Sequence, residues 1–111
     1  MKTEQQQEGP VMVLALSGPM VEEELPTFSA LLRTLVQQGR KRLLLDLSSV
    51  LFVDSAAMEL LLDTATELAS AGGALKIGGV SEVVYDVFAA TRLAGSIEVY
   101  RDRTAARRAF L

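Results

Sequence analysis

Apolar and polar positions follow two different periods along this chain, and each switch between them marks an element. Val11-Met12-Val13-Leu14-Ala15-Leu16 is almost wholly apolar and stops at Ser17-Gly18-Pro19. A run of that length between turn residues predicts a buried strand. From Glu22 the spacing becomes helical. Glu22, Glu23 and Glu24 put negative charge in a first turn, which also tolerates Pro26. Leu25, Phe28, Leu32, Leu35 and Val36 then fall on one face until Gly39 stops the helix. Leu43-Leu44-Leu45-Asp46-Leu47 reads as a second buried strand, residues 48–53 as a short apolar connection, and residues 55–71 as a long helix ended by Gly72-Gly73. Residues 74–79 form a third strand. Ser81 caps a helix through Arg92 whose Val83, Val84, Val87 and Phe88 point inward. Residues 96–100 are a last strand and 102–110 a closing helix. Residues 1–9 are polar, a tail or a short edge strand.

The result is β-α-β-α-β-α-β-α. Such alternation predicts an α/β fold with a mainly parallel sheet of four or five strands, right-handed crossovers and about four helices. A length of 111 residues suits one domain, and nothing along the chain reads as an internal repeat or a linker. Half the residues are hydrophobic and 23% are charged, a globular composition.

Charge and missing residue types narrow the function. The net charge of −3 and the absence of a Lys/Arg stripe argue against a nucleic-acid partner. The one basic cluster, Arg101, Arg103, Arg107 and Arg108, reads as a solvated helix face. No apolar run is long enough to span a bilayer, the start lacks a secretory pattern, and there is no cysteine, so a cytoplasmic protein without membrane insertion is expected. The chain has neither histidine nor cysteine. That removes the common general base, the Ser-His-Asp and cysteine nucleophiles, and zinc sites built on nitrogen or sulfur. Asp46, Asp54, Asp63 and Asp86 are scattered over different elements, and each is expected to be structural or solvated. Gly72-Gly73 and Gly78-Gly79 lack the Gly-Lys-Ser/Thr of a phosphate loop and read as helix stop and strand exit. The expectation is a binding module, not an enzyme, with no cofactor and no metal.

One segment carries a positive signal. Residues 43–61 run from a strand through an apolar turn to Asp54-Ser55 at the mouth of a helix. Asp54 or Ser55 is the N-cap, its side-chain oxygen accepting a free backbone N–H. The same position suits regulation. A phosphate on Ser55 would lie at a helix N-terminus, which favours anions, and would add close to two negative charges beside Asp54 and near Glu59.

Leu45-Asp46-Leu47-Ser48-x-Val50-x-Phe52-Val53-Asp54-Ser55, followed by small residues and an apolar helix, resembles the STAS domain, and most closely the bacterial anti-sigma factor antagonists. The strand ending in Ser17-Gly18 and the late Gly-Gly before a strand extend the resemblance over nearly the whole chain. It implies a STAS-type fold and partner switching. The unmodified antagonist binds an anti-sigma factor that is also a serine kinase and so frees a sigma factor. The kinase phosphorylates the serine after the aspartate, here Ser55, and breaks the complex; a serine phosphatase restores it. The chain departs from the family's usual Asp-Ser-Ser/Thr-Gly-Leu-Gly, reading Asp54-Ser55-Ala56-Ala57-Met58-Glu59. It also has Val21, followed by Glu22, where many members carry an aspartate.

In the helix after Ser55, Ala57, Met58, Leu61, Leu62, Ala65, Leu68 and Ala69 share one face. Leu60 falls on the opposite, polar side as an exposed leucine one turn beyond Ser55. The expected partner footprint is therefore Asp54, Ser55, Ala56, Glu59 and Leu60. Tyr85 points away from the apolar face of its own helix, as an edge-of-core or interface tyrosine. The alternative to an antagonist switched at Ser55 is a STAS module that binds without phosphorylation, as a signalling scaffold or as an accessory to a membrane transporter.

Overall fold

The computed structural model describes residues 1–110. Its elements are β1 (Lys2–Glu8), β2 (Val11–Ser17), a 3-10 turn (Glu22–Glu24), α1 (Leu25–Gln37), β3 (Arg42–Ser49), α2 (Ser55–Ser70), β4 (Ala74–Val80), α3 (Glu82–Ala89), α4 (Leu93–Ser96), β5 (Glu98–Tyr100) and α5 (Arg103–Arg108). The five strands form one sheet in the order β1-β2-β3-β4-β5. β1 is antiparallel to β2, and the remaining neighbours are parallel.

Consecutive parallel neighbours mean that every crossover steps in the same direction. Right-handed crossovers of that kind place their helices on one face of the sheet. The main core lies there. Leu14, Leu16, Leu43, Leu45, Leu47 and Ile77 of the strands pack against Phe28 and Leu32 of α1, Leu61 and Leu68 of α2, and Phe88 of α3. Among the described residues, the other face is covered by α5 alone, where Val11, Val13 and Leu44 meet Ala106, with Tyr100 and Phe110 at the border. Strands buried on both faces cannot alternate, so β2 and β3 read as continuous apolar runs.

Of the two readings of the polar start, the edge strand holds: Lys2–Glu8 runs in unbroken register from Lys2 opposite Ser17 to Glu8 opposite Val11. The acids at Glu22–Glu24 form a separate 3-10 turn, and Pro26 then sits in the first turn of α1. The helix expected through Arg92 ends at Ala89, and a fifth helix, α4, occupies the start of the expected last strand. Val83 does not point inward. It is 67% exposed, while Val84 and Phe88 carry the buried face of α3. In α2, Ala69 is exposed and Thr64 is buried in its stead, its hydroxyl donating to Leu60 O at 2.8 Å. That bond lets a threonine face a core without an orphaned polar group.

The basic cluster splits. Arg101 and Arg108 are exposed, but Arg103 donates to Asp46 Oδ2 from Nη2 at 3.0 Å and from Nε at 3.2 Å, and lies 3.7 Å from Glu8. Arg107 lies 3.6 Å from Glu8. These pairs fasten α5 to β1 and β3. Gly78 allows the approach: a Cβ there would fall 2.6 Å from Ala106 Cβ and 3.0 Å from Asp102 O. Its role is close packing under a helix and not strand exit. Lys76, beside Glu98 and 5.1 Å from the Phe110 ring centroid, closes the same layer. Burial lowers its ammonium pKa below the ordinary lysine value.

Candidate functional site

The connection from β3 to α2 builds the site. Val50 N–H donates to Leu47 O at 3.0 Å and turns the chain out of β3. Val50 and Val53 are buried, and this spacing leaves Leu51 and Phe52 facing water, 74% and 58% exposed. The loop before α1 is stitched alongside. Met20 and Val53 form an isolated parallel bridge, Met20 N–H donates to Phe52 O at 2.9 Å, and Asp54 N–H donates to Met20 O at 3.1 Å.

Asp54 ends this stitching and begins the helix. Its backbone is extended (φ −93°, ψ 177°), and Oδ1 accepts the Ala57 N–H at 2.9 Å, so Asp54 is the N-cap. Oδ2 accepts the Glu22 N–H at 2.9 Å. One carboxylate thus caps α2 and holds the 3-10 turn that leads into α1. The sequence pattern leaves Asp54 and Ser55 as alternative caps, and it carries no sign of the second bond.

Ser55 is the first residue of α2 and is exposed. Met58 N–H closes the first helical bond to Asp54 O at 3.1 Å, so the Ser55 and Ala56 N–H groups lie ahead of the ladder. The hydroxyl stands in water where a helix begins. Glu59 is exposed one turn further on. Glu22 and Glu23 are exposed on the adjoining turn.

α3 enters at the same end of the sheet. The Ser81 hydroxyl donates to Val50 O at 3.4 Å and accepts the Val84 N–H at 3.3 Å, so the cap of α3 also ties it to the β3–α2 connection. Glu82 and Val83, exposed on the first turn of α3, therefore share the pole with Leu51, Phe52 and Ser55. Tyr85, 45% exposed, faces a groove of about 660 Å³ between α3 and β5. Among the described residues, no group of three or more His, Cys, Asp or Glu side chains could hold a metal.

The STAS domain family matches residues 2–106. The chain belongs to the STAS domain family. Solved structures of similar fold include an anti-sigma factor antagonist from Mycobacterium paratuberculosis, at 20% identity over 98% of this chain and 92% of that one, with a TM-score of 0.90. The anti-sigma factor antagonist SpoIIAA in its unphosphorylated form matches at 20% identity over 97% of this chain and 96% of that one, TM-score 0.81. The phosphorylated form of the Bacillus cell fate determinant SpoIIAA matches at 19% identity over 97% and 99%, TM-score 0.74. At these identities the likeness is one of fold. No curated protein is significantly similar in sequence.

In this STAS domain, Asp54, Ser55, Ala56 and Glu59 all lie at the start of α2. Leu60 differs from its expected exposure: like Ala56, it is half-buried and packed against the core. The exposed apolar side chains at this end of the sheet are instead Leu51 and Phe52, in the connection leading to Ser55, and Val83 on the first turn of α3. A usable signal existed in Val50-Leu51-Phe52-Val53. Four successive apolar residues in a tight connection cannot all turn inward, and the two end positions are the ones the core takes. Among the described residues, no helix is long and apolar enough to cross a membrane.

Proposed function

We propose that this STAS domain is an anti-sigma factor antagonist controlled at Ser55. It binds an anti-sigma factor with serine kinase activity through the pole formed by Leu51, Phe52, Asp54, Ser55, Ala56 and Glu59. The kinase phosphorylates Ser55, the complex separates, and a serine phosphatase resets it. The domain acts by binding and not by catalysis, in the cytoplasm where sigma factors work, with no cofactor.

The observation that carries this reading is the exposed Ser55 hydroxyl directly after a fully engaged capping carboxylate. Asp54 has both oxygens occupied, so it holds the backbone around Ser55 without consuming the hydroxyl. Leu51 and Phe52 supply apolar area at the same place, which a polar pole needs to hold a partner. Docking on that pair brings the partner over Ser55. A phosphate there would have to be desolvated beside Leu51 and Phe52, close to Asp54 and Glu59, at a cost the unmodified serine does not carry.

The test combines mass and affinity. Incubation with the cognate kinase-type anti-sigma factor and ATP is expected to add one phosphoryl group to the wild type and none to Ser55→Ala. Ser55→Asp is expected to weaken binding by on the order of tenfold or more, with Ser55→Ala binding like the wild type. Equal binding by all three proteins, with no phosphoryl transfer, would replace the switch with a constitutively binding STAS module.

A further inference from the structure

The two edges of the sheet are unlike. β5 has three residues, too short to template anything. β1 has seven, in unbroken register with β2 and with no proline or bulge, and Lys2, Glu4, Gln5, Gln6 and Gln7 are exposed. Among the described residues, no element pairs with its outer side. An open row of backbone N–H and C=O groups of this length is what proteins usually shorten, bend or cover, because it invites another strand.

The charges along Lys2-Thr3-Glu4-Gln5-Gln6-Gln7-Glu8 name the strand that fits. We infer that β1 pairs antiparallel with β1 of a second copy of this chain, about a two-fold axis through Gln5. Pairing about that axis sets Lys2 opposite Glu8, Thr3 opposite Gln7 and Glu4 opposite Gln6. Both ends gain an opposite-charge pair, and no like charges stand directly opposite. A two-fold axis perpendicular to the sheet also keeps each face continuous, so only registers that move by two residues compete. One such shift sets Glu4 against Glu4 of the second copy, and the other sets Glu4 against Glu8. The sequence is therefore self-complementary in one full-length register and repulsive in its neighbours. Like charges remain only on diagonals, about 7–8 Å apart.

The β1 side chains are placed for this. Glu8 sits on the α5 side, 3.7 Å from Arg103 and 3.6 Å from Arg107, so its carboxylate is held in place, and Lys2 of the second copy would share it with those arginines. Gln7 is fixed by bonds to Gly9 O and from Arg40 Nη1, each 2.7 Å. The assembly would be a continuous ten-stranded sheet, twice the five seen in one copy. Since the strands run antiparallel, the two Ser55 poles point to opposite ends. Both stay free, and the inference stands apart from what Ser55 binds.

Edge pairing alone buries less than the roughly 1,200 Å² of a standard interface, so the dimer is a weak one. Sedimentation velocity of the full chain is expected to show concentration-dependent dimerisation. Gln6→Glu, which sets a second acid against Glu4, is expected to weaken it by roughly 2- to 30-fold through two symmetric pairs, and Gln6→Lys to strengthen it by a similar factor. The chain has no cysteine, so the register can be trapped. Gln5→Cys should cross-link to its own copy on oxidation, and Gln7→Cys, about four residues out of register with its copy, should not. A chain that stays monomeric at all accessible concentrations would overturn the inference. So would equal cross-linking by the two cysteine variants, or Gln6→Glu and Gln6→Lys shifting association in the same direction.

Discussion

Asp54 and Ser55 are neighbours with opposite employment. The carboxylate is committed to two backbone donors, Ala57 N–H and Glu22 N–H, from two segments far apart in the chain. The hydroxyl is exposed and adds nothing to the helix ladder. Stability and regulation should therefore separate at adjacent positions. Asp54→Ala removes an N-cap worth about 1 kcal/mol and a second bond of similar size, so a loss of about 1–2 kcal/mol is expected in urea denaturation. Asp54→Asn retains one acceptor and should lose less. Ser55→Glu places an acid in the first turn of α2, where the dipole favours it, and should leave stability unchanged or raise it by about 0.3–1 kcal/mol. An Asp54→Ala protein as stable as the wild type would remove the carboxylate from its proposed task. The cap was legible from an Asp-Ser pair ahead of an apolar helix. The bond to Glu22 was not, since nothing local reveals a contact across 32 positions.

At the scale of elements, β2, β3, α2 and β4 could be read closely because both their cores and their stop signals are strong. α3 could not. Val83, Val84 and Val87 all look like core residues, yet an eight-residue helix has only a narrow buried stripe, and Val84 and Phe88, four apart, fill it. Val83 is left at the exposed pole. Gly78 departs from its expected role for a related reason. A glycine pair at a strand end looks like punctuation, whereas the need for Gly78 comes from α5, which packs over it from the far end of the chain. That contact gives a pairwise test. Gly78→Ala forces α5 outward and should cost about 1–3 kcal/mol. Ala106→Gly alone should cost about 1 kcal/mol through helix propensity and lost packing. Because the second change removes the atom the first collides with, the double variant should be less destabilised than the two single losses added together, as measured by chemical denaturation. Strict additivity would mean that α5 does not rest on Gly78.

On the scale of the whole molecule, the alternation of periods carries the topology, while β1 was legible only as a polar tail or an edge strand. Three glutamines and two glutamates have little strand preference of their own, and the partner β2 supplies the pairing. The topology in turn sorts the charges. The segments following the parallel strands carry Glu22, Glu23 and Glu24 in the 3-10 turn, Glu59 in α2 and Glu82 at the start of α3, which outnumber Lys2 and Arg101 at the same end, whereas the loop preceding β3 holds Arg40 and Lys41, with Arg42 at the strand's first residue. The Ser55 pole is thus acidic and the opposite pole basic, an asymmetry the net charge of −3 conceals. A field of that shape steers a partner whose basic groups form a rim facing Glu22, Glu23 and Glu59, outside the apolar contact over Leu51, Phe52 and Ser55, and it acts before contact, so it belongs to the association rate. Exposed charges are screened within about 10 Å at 0.1 M salt. Association with a kinase-type anti-sigma factor should therefore slow as salt rises, with a nearly constant dissociation rate. The combined Glu22→Gln, Glu23→Gln, Glu59→Gln variant should associate more slowly at low salt and lose most of the salt dependence. Phe52→Ala should leave the association rate near that of the wild type and speed dissociation, because apolar anchoring acts after contact. Stopped-flow measurements that found the charge variant altered only in dissociation, or Phe52→Ala only in association, would reverse this division of labour between the acidic rim and the apolar pair.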